Sequence, residues 1–312
     1  MSEFVRLGDT TTAPVQVDLN MFERLTRGKH PWAQYDSSKK KVQRFGLCPE
    51  CNNAMVLVNI HNPEPQVTPH GRHRLKRVDG FEYCLEEILG CPLLDSRLKS
   101  DLEADITALT PEAVELREFL VENFNLAAGM FAETTGISPS KTMLRKMLRL
   151  FFEDRWYRWP TVTKGNLPWT FARLTCNFNL YKQKIRPESA VWTAVQKHVP
   201  HAALGEYGRL EARGSHRVYL EFGLGQHKVR STQDGRIRET ISLHVLNTDP
   251  VAKVDEPVFE TTLDLNTEEF LRRVAHKLHP AGYGAELVEE ARMVLADYLH
   301  NHPEARSPEV ET

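Results

Sequence analysis

Apolar and polar positions recur with two different periods along this chain, and the change of period divides it. In SKTMLRKMLRLFFEDRW, Met143, Leu144, Met147, Leu148 and Phe151 return at three-to-four spacing, while Arg145, Lys146 and Arg149 fall elsewhere on the wheel. That spacing predicts an amphipathic helix opened by Ser138–Pro139. An earlier helix opens at Thr110, a capping hydroxyl followed by Pro111 in the first turn and Glu112 near the positive end of the dipole. Val114, Phe119, Leu120 and Phe124 supply its apolar stripe. Pro187–Glu188 is a third start, leading into SAVWTAVQKHV, and DLNMFERLTRG reads as a short helix near the front.

Around Tyr207 the period shortens towards two. HRVYLEFGLGQHKVRST and IRETISLHVLN read as strands joined by QDGR, with Asp234–Gly235 as a hairpin signal, and PVFETTLDL as one more strand. Asn266 with Glu269 makes a capping box for a helix through Leu278. Ala281–Gly284 then reads as a hinge. AELVEEARMVLADYLHNH is a second amphipathic helix, its apolar face expected on the sheet of its own domain.

The fold class these elements predict is α+β: a zinc-knuckle module, a central helical region and C-terminal antiparallel strands followed by a helical pair. A length of 312 residues suits more than one core. The expected segments are an N-terminal stretch over 1–44, a metal-binding module over 45–95, a basic helical domain over 96–205, a strand-rich domain over 206–302 and a flexible tail over 303–312. Within the module, HNPEPQVTPHG reads as a loop.

The stretch FGLCPECNNAMVLVNI carries the first candidate chemistry. In a C-P-x-C turn two thiolates point at one ion while turn N–H groups donate to the sulfurs, and a strand usually follows. Zinc takes four nitrogen or sulfur ligands in a tetrahedron, so two more must come from elsewhere. Cys91 precedes Pro92 as Cys48 precedes Pro49, and His73 follows a glycine in the basic turn PHGRHR. The predicted site is therefore Cys48, Cys51, His73 and Cys91, with Cys84 or His70 as replacements. Four protein ligands close the shell, which makes the zinc structural. The CPEC, HGRH and CP elements together resemble a metal module of bacterial type.

Composition adds limits. An apolar fraction of 41% and a charged fraction of 26% belong to a soluble protein, and no apolar run approaches the roughly 20 residues of a membrane span. The N-terminus lacks a basic segment followed by an apolar one, so no secretory signal is read there. Five cysteines, an odd number, fit reduced thiols and a cytoplasmic setting.

The net charge of −2 hides segregation: residues 141–186 hold eleven bases and two acids, and residues 253–312 thirteen acids and six bases. Rings interleave the bases, most densely in RWYRWP. Basic side chains neutralise phosphates and ring faces stack on unpaired bases. Lys141, Arg145, Lys146, Arg149, Arg155, Trp156, Arg158, Lys164, Arg173, Lys182, Lys184 and Arg186 are accordingly the expected nucleic-acid contacts, with DNA favoured over RNA. Within this region FAETTGISPSKTMLRKML resembles a helix-turn-helix, though Thr142 and Arg145 stand where its second helix usually has buried aliphatics.

Catalytic motifs are not found: GLGQHK lacks the spacing and hydroxyl of a phosphate loop, and no G-x-S-x-G or H-E-x-x-H occurs. His216, His227 and His244 fall among the strands without an adjacent hydroxyl pattern. The expected function is a non-catalytic, zinc-stabilised nucleic-acid-binding protein within a larger complex, with protein partners reached through the acidic C-terminal region. The alternatives are a protein-interaction scaffold without nucleic-acid contact, and a metal-dependent nuclease.

Overall fold

The computed structural model describes residues 2–37, 40–61, 68–96, 98, 109–175, 178–231, 236–248, 256–278 and 282–306. The chain divides into two compact units, residues 1–105 with 226–239, and residues 106–225 with 240–312. The first unit therefore takes in residues 226–239 from the strand-rich segment, and the rest of that segment falls in the second.

The first unit begins with the antiparallel pair β1 (Phe4–Val5) and β2 (Val15–Gln16). Next comes α1 (Leu19–Thr26), capped by Asp18, which accepts from the Met21 N–H. An antiparallel sheet follows in the order β3 (Ala33–Asp36), β4 (Lys41–Leu47), β5 (Ala54–Val58), β6 (His70–His73), and then the short α2 (Leu85–Leu89). Val5 is fully buried against this sheet, where a Cβ on Gly46 or Gly71 would come within 2.9 Å of its side chain. The glycines allow that close approach. Successive residues face opposite ways, so Met55 and Leu57 join Val5 and Phe22 in one cluster while Phe45 and Ala54 join Val78 and Phe81 in another.

The sheet is not continuous across its middle. β4 pairs with β5 only through Phe45↔Val56, Gly46↔Met55 and Leu47↔Ala54. Over Lys41 to Arg44, β4 follows β3, while Leu57 and Val58 of β5 follow β6. The sheet therefore forks.

The second unit is helical at first: α3 (Pro111–Glu122), α4 (Phe124–Thr135), the short β7 (Ile137–Ser138), α5 (Lys141–Glu153) and α6 (Leu167–Thr175). Short strands β8 (Phe178–Asn179) and β9 (Lys184–Ile185), α7 (Ala190–His198) and the pair β10 (Ala202–Leu204) and β11 (Leu210–Ala212) follow. Then come β12 (Leu220–Ser231) and β13 (Ile237–Asn247), of which residues 226–239 belong to the first unit, β14 (Glu256–Asp264), α8 (Thr267–Ala275) and α9 (Glu286–Asn301). The sheet order is β14-β13-β12-β8. Phe124, Phe151, Phe152, Trp169 and Phe171 pack with Phe222, Ile241 and Leu243 in one core.

The caps follow the expected chemistry with shifts. Thr110 accepts from the Ala113 N–H and Asn266 from the Glu269 N–H. Glu269 does not reach back to Asn266; its carboxylate takes Arg272 and Arg273 at 2.7 and 2.8 Å, so half of the box forms. The helices expected from Ser138–Pro139 and Pro187–Glu188 are capped two residues later, by Ser140 and Ser189. Phe124 opens α4 instead of closing the α3 stripe. The apolar face of α9 packs on α3, α4 and α5 rather than on a sheet. The Asp234–Gly235 turn, residues 62–67 of the proline-rich loop, Ala281 of the hinge and the tail beyond 306 lie outside the described residues. No described helix is long and apolar enough to cross a membrane.

Candidate metal centre and basic cleft

Cys48, Cys51, His73 and Cys91 lie together, their donor atoms all within 4.8 Å of one another. Each arrives by a local device. The turn from Cys48 to Asn53 is closed by Asn52 N–H donating to the Cys48 carbonyl at 3.0 Å and Cys48 N–H to the Asn53 carbonyl at 2.9 Å. Asn52 takes the left-handed conformation at φ 56°. His73 ends β6, in register with Met55. Cys91 follows α2, its N–H donating to the Ile88 carbonyl at 3.1 Å. Cys48 Sγ lies 3.7 Å from Cys91 Sγ, and Cys51 Sγ 3.3 Å from His73 Nε2.

The two rivals are elsewhere. Cys84 caps α2, its thiol on Glu86 at 3.3 Å, and burial pushes it up to about 12. His70 is bound through Nδ1 to the Thr68 carbonyl at 2.9 Å. The glycine before the histidine serves packing: the space beside Gly71 belongs to Val5.

The four donors stand in a prepared surround. Arg6 Nη1 donates to the carbonyls of Cys48, at 3.3 Å, and Pro49, and to Asn52 Oδ1 at 2.9 Å; its Nε holds the Thr12 carbonyl at 3.0 Å. The buried Asn53 donates to the Cys51 carbonyl at 2.9 Å and to Glu87 at 3.1 Å, and accepts from the Cys84 N–H at 2.7 Å. Donation from the Cys51 thiol, then from His73 and the N–H groups of Cys51 and Glu50, holds Cys48 well below the ordinary thiol range. That same sharing, with burial, raises Cys51, and burial raises Cys91. Cys48 is thus the easiest of the three thiols to ionise, and a cation bound here would displace the protons of the other two.

The fork in the sheet makes a second feature of the same unit. A cleft of about 710 Å³ lies there, lined by Lys41, Arg44, Arg72, Arg74, Lys76 and His61 with the aliphatic Val56, Val58 and Ile60. No carboxylate is among its lining residues. At its rim Glu23 takes Arg44 at 3.2 Å, and Asp36 stands opposite Lys41 in register. Arg74 donates to Gln43 at 2.7 Å. Among the described residues no ion pair engages Lys41, Arg72 or Lys76, and all three are exposed. These cations were not among the expected contacts, although KKKVQR and HGRHR carried them in plain view on either side of the knuckle.

In the helical segment much of the expected positive charge faces the unit's own acids. Lys141 meets Glu286 at 2.9 Å, Arg145 meets Glu290 at 3.1 Å and Arg155 meets Glu304 at 3.0 Å. Lys164 meets Glu115 at 2.5 Å, Lys182 meets Glu211 at 2.9 Å and Arg186 meets Glu188 at 3.5 Å. Arg158 lies over the Tyr157 ring, and Arg173 is half-buried in the last turn of α6. Lys146, Arg149 and Lys184 are exposed without an ion pair among the described residues.

The rings of that segment are mostly core. Phe151, Phe152, Tyr157, Trp169, Phe171 and Phe178 are buried, Trp156 packs edge-on against Trp159, and Tyr181 is exposed. In the stretch resembling a helix-turn-helix, α4 ends on Gly136 and α5 begins at Lys141; α9 covers the Lys141–Arg145 side of α5. Of the strand histidines, His227 is buried and bound to Glu239 at 2.8 Å, His244 fills the space over Gly223, and His216 stacks on His201.

In comparisons with known proteins, the chain matches no protein family, no curated protein and no solved structure.

Proposed function

We propose that this is a zinc-stabilised, non-catalytic nucleic-acid-binding protein whose contact surface is the forked sheet beside the metal centre. The donor set supports zinc. A tetrahedral zinc with Zn–S bonds of about 2.3 Å sets neighbouring sulfurs about 3.8 Å apart, and Cys48 and Cys91 stand at 3.7 Å. Three thiolates and an imidazole fill four positions, leaving none for a substrate water, so the ion's role is structural. His73 Nδ1 is buried without a partner; packing, not a second hydrogen bond, orients that ring.

The observation that carries the nucleic-acid reading is the cleft with five basic side chains and no acid among its lining residues. A low-dielectric concavity lined by one sign of charge concentrates its field and draws counter-charged polymer. The helical segment contributes less, because six of its expected contacts already face carboxylates. The acids expected to meet protein partners, among them Glu286, Glu290 and Glu304, are the same groups that hold those bases.

The test is a binding titration of the full chain with labelled DNA and RNA between about 50 and 200 mM salt, where log affinity falls in proportion to the phosphates neutralised. The triple change Lys41→Glu, Arg72→Glu and Lys76→Glu abolishes binding, whereas Lys146→Glu with Arg149→Glu preserves most of it. A response flat in salt removes the proposal.

A further inference from the structure

We infer that the fork takes a single strand of nucleic acid, gripped by its phosphates, and excludes a duplex. This rests on the nucleic-acid reading above and narrows it.

The first ground is shape. The bases that matter lie inside a re-entrant space where β4 leaves β5 after the Phe45↔Val56 pair, not on a ridge. A duplex is a convex rod with its phosphates outward, and proteins that read it push a helix or a β-ribbon into its groove. A cleft of about 710 Å³ is of the size that holds a drug-sized ligand. A flexible strand can thread such a space; a rod cannot.

The second ground is the chemistry of the walls. Cations stand on both arms of the fork: Lys41 and Arg44 on the β4 side, Arg72, Arg74 and Lys76 on and after β6. Between them Val56, Val58 and Ile60 line the cleft with aliphatic surface, suited to sugars and base faces freed from a helix. Apart from the imidazoles of His61 and His73 no lining residue has an aromatic ring. Stacking, the usual source of modest base preference in single-strand binders, is therefore minor, and affinity follows phosphate contacts with little regard to sequence.

Strand capture is measured with the full-length, metal-loaded protein, a labelled single-stranded oligonucleotide and a blunt duplex of the same sequence. The single strand binds at least about tenfold more tightly than the duplex, and Arg72→Glu with Lys76→Glu lowers the salt slope for the single strand by about two. Metal content per chain, unchanged in the variant, shows that the module is intact; if that variant loses metal, Lys41→Glu on the opposite arm replaces it. A duplex bound as tightly as the single strand, and weakened as much by the variant, overturns this inference and leaves the nucleic-acid reading standing. Absence of salt-dependent binding to either form overturns both.

Discussion

A guanidinium fixed by four acceptors stands behind the metal turn. Arg6 holds the carbonyls of Cys48 and Pro49, the Asn52 amide oxygen and the Thr12 carbonyl. Its positive charge would offset the excess negative charge that three thiolates bring to one cation. The choice among the candidate ligands is decided at this scale as well. Replacing Cys91 by serine lowers metal per chain and weakens its retention against a chelator, whereas Cys84→Ser leaves both unchanged, because Cys84 faces Glu86 and not the cluster. Elemental analysis of the two variants checks this; equal loss from both would place Cys84 in the shell. The centre was legible because its turn is local and its partners are of ligating type. The fate of Lys141 was not: its carboxylate, Glu286, is 145 residues away in the chain, and no local pattern announces it.

At the scale of elements, the register of two isoleucines overrides a helix signal. Ile137 and Ile185 are fully buried and directly paired between β7 and β9. That pairing needs extended backbone at 137–138, so Ser138–Pro139 cannot open α5 and Ser140 does. Ser140 Oγ accepts from the Met143 N–H. Ser140→Ala should therefore cost about 1 kcal/mol, the usual worth of such a cap, read as a lower urea midpoint of the second unit with unchanged slope. No change would mean that the cap is idle. Period and capping chemistry thus located α1, α3, α5 and α7 to α9 with the strands β12 to β14, because both are written in a few adjacent residues. The fork was hidden for the converse reason: the knuckle pattern announces a strand after Cys51 but says nothing of its partner or of where their ladder stops.

For the whole molecule, two compact units predict two responses to metal removal. The knuckle, the end of β6 and Cys91 meet at the four-donor cluster, where a metal would join them, while Phe151, Trp169 and Phe171 pack elsewhere. Chelation should raise amide exchange across residues 41–94 by orders of magnitude and leave α5 and α6 protected. Acidification does the same, since protons compete for three sulfurs and an imidazole; the metal leaves as pH falls, not as it rises. Exchange followed by mass spectrometry checks both, and uniform loosening of the two units would contradict the division.

The interleaved path of the chain through these units bears on how the protein is made. Tyr83 exchanges two backbone hydrogen bonds of 2.9 Å with Val229, and Lys228 reaches Glu82 at 3.0 Å. A ribosome delivers Cys91 well before either of those later residues, with α3 to α7 of the other unit emerging in between. The nascent knuckle therefore has all four donors early, yet the unit around it waits for a stretch synthesised more than a hundred residues later. What is begun first is finished late.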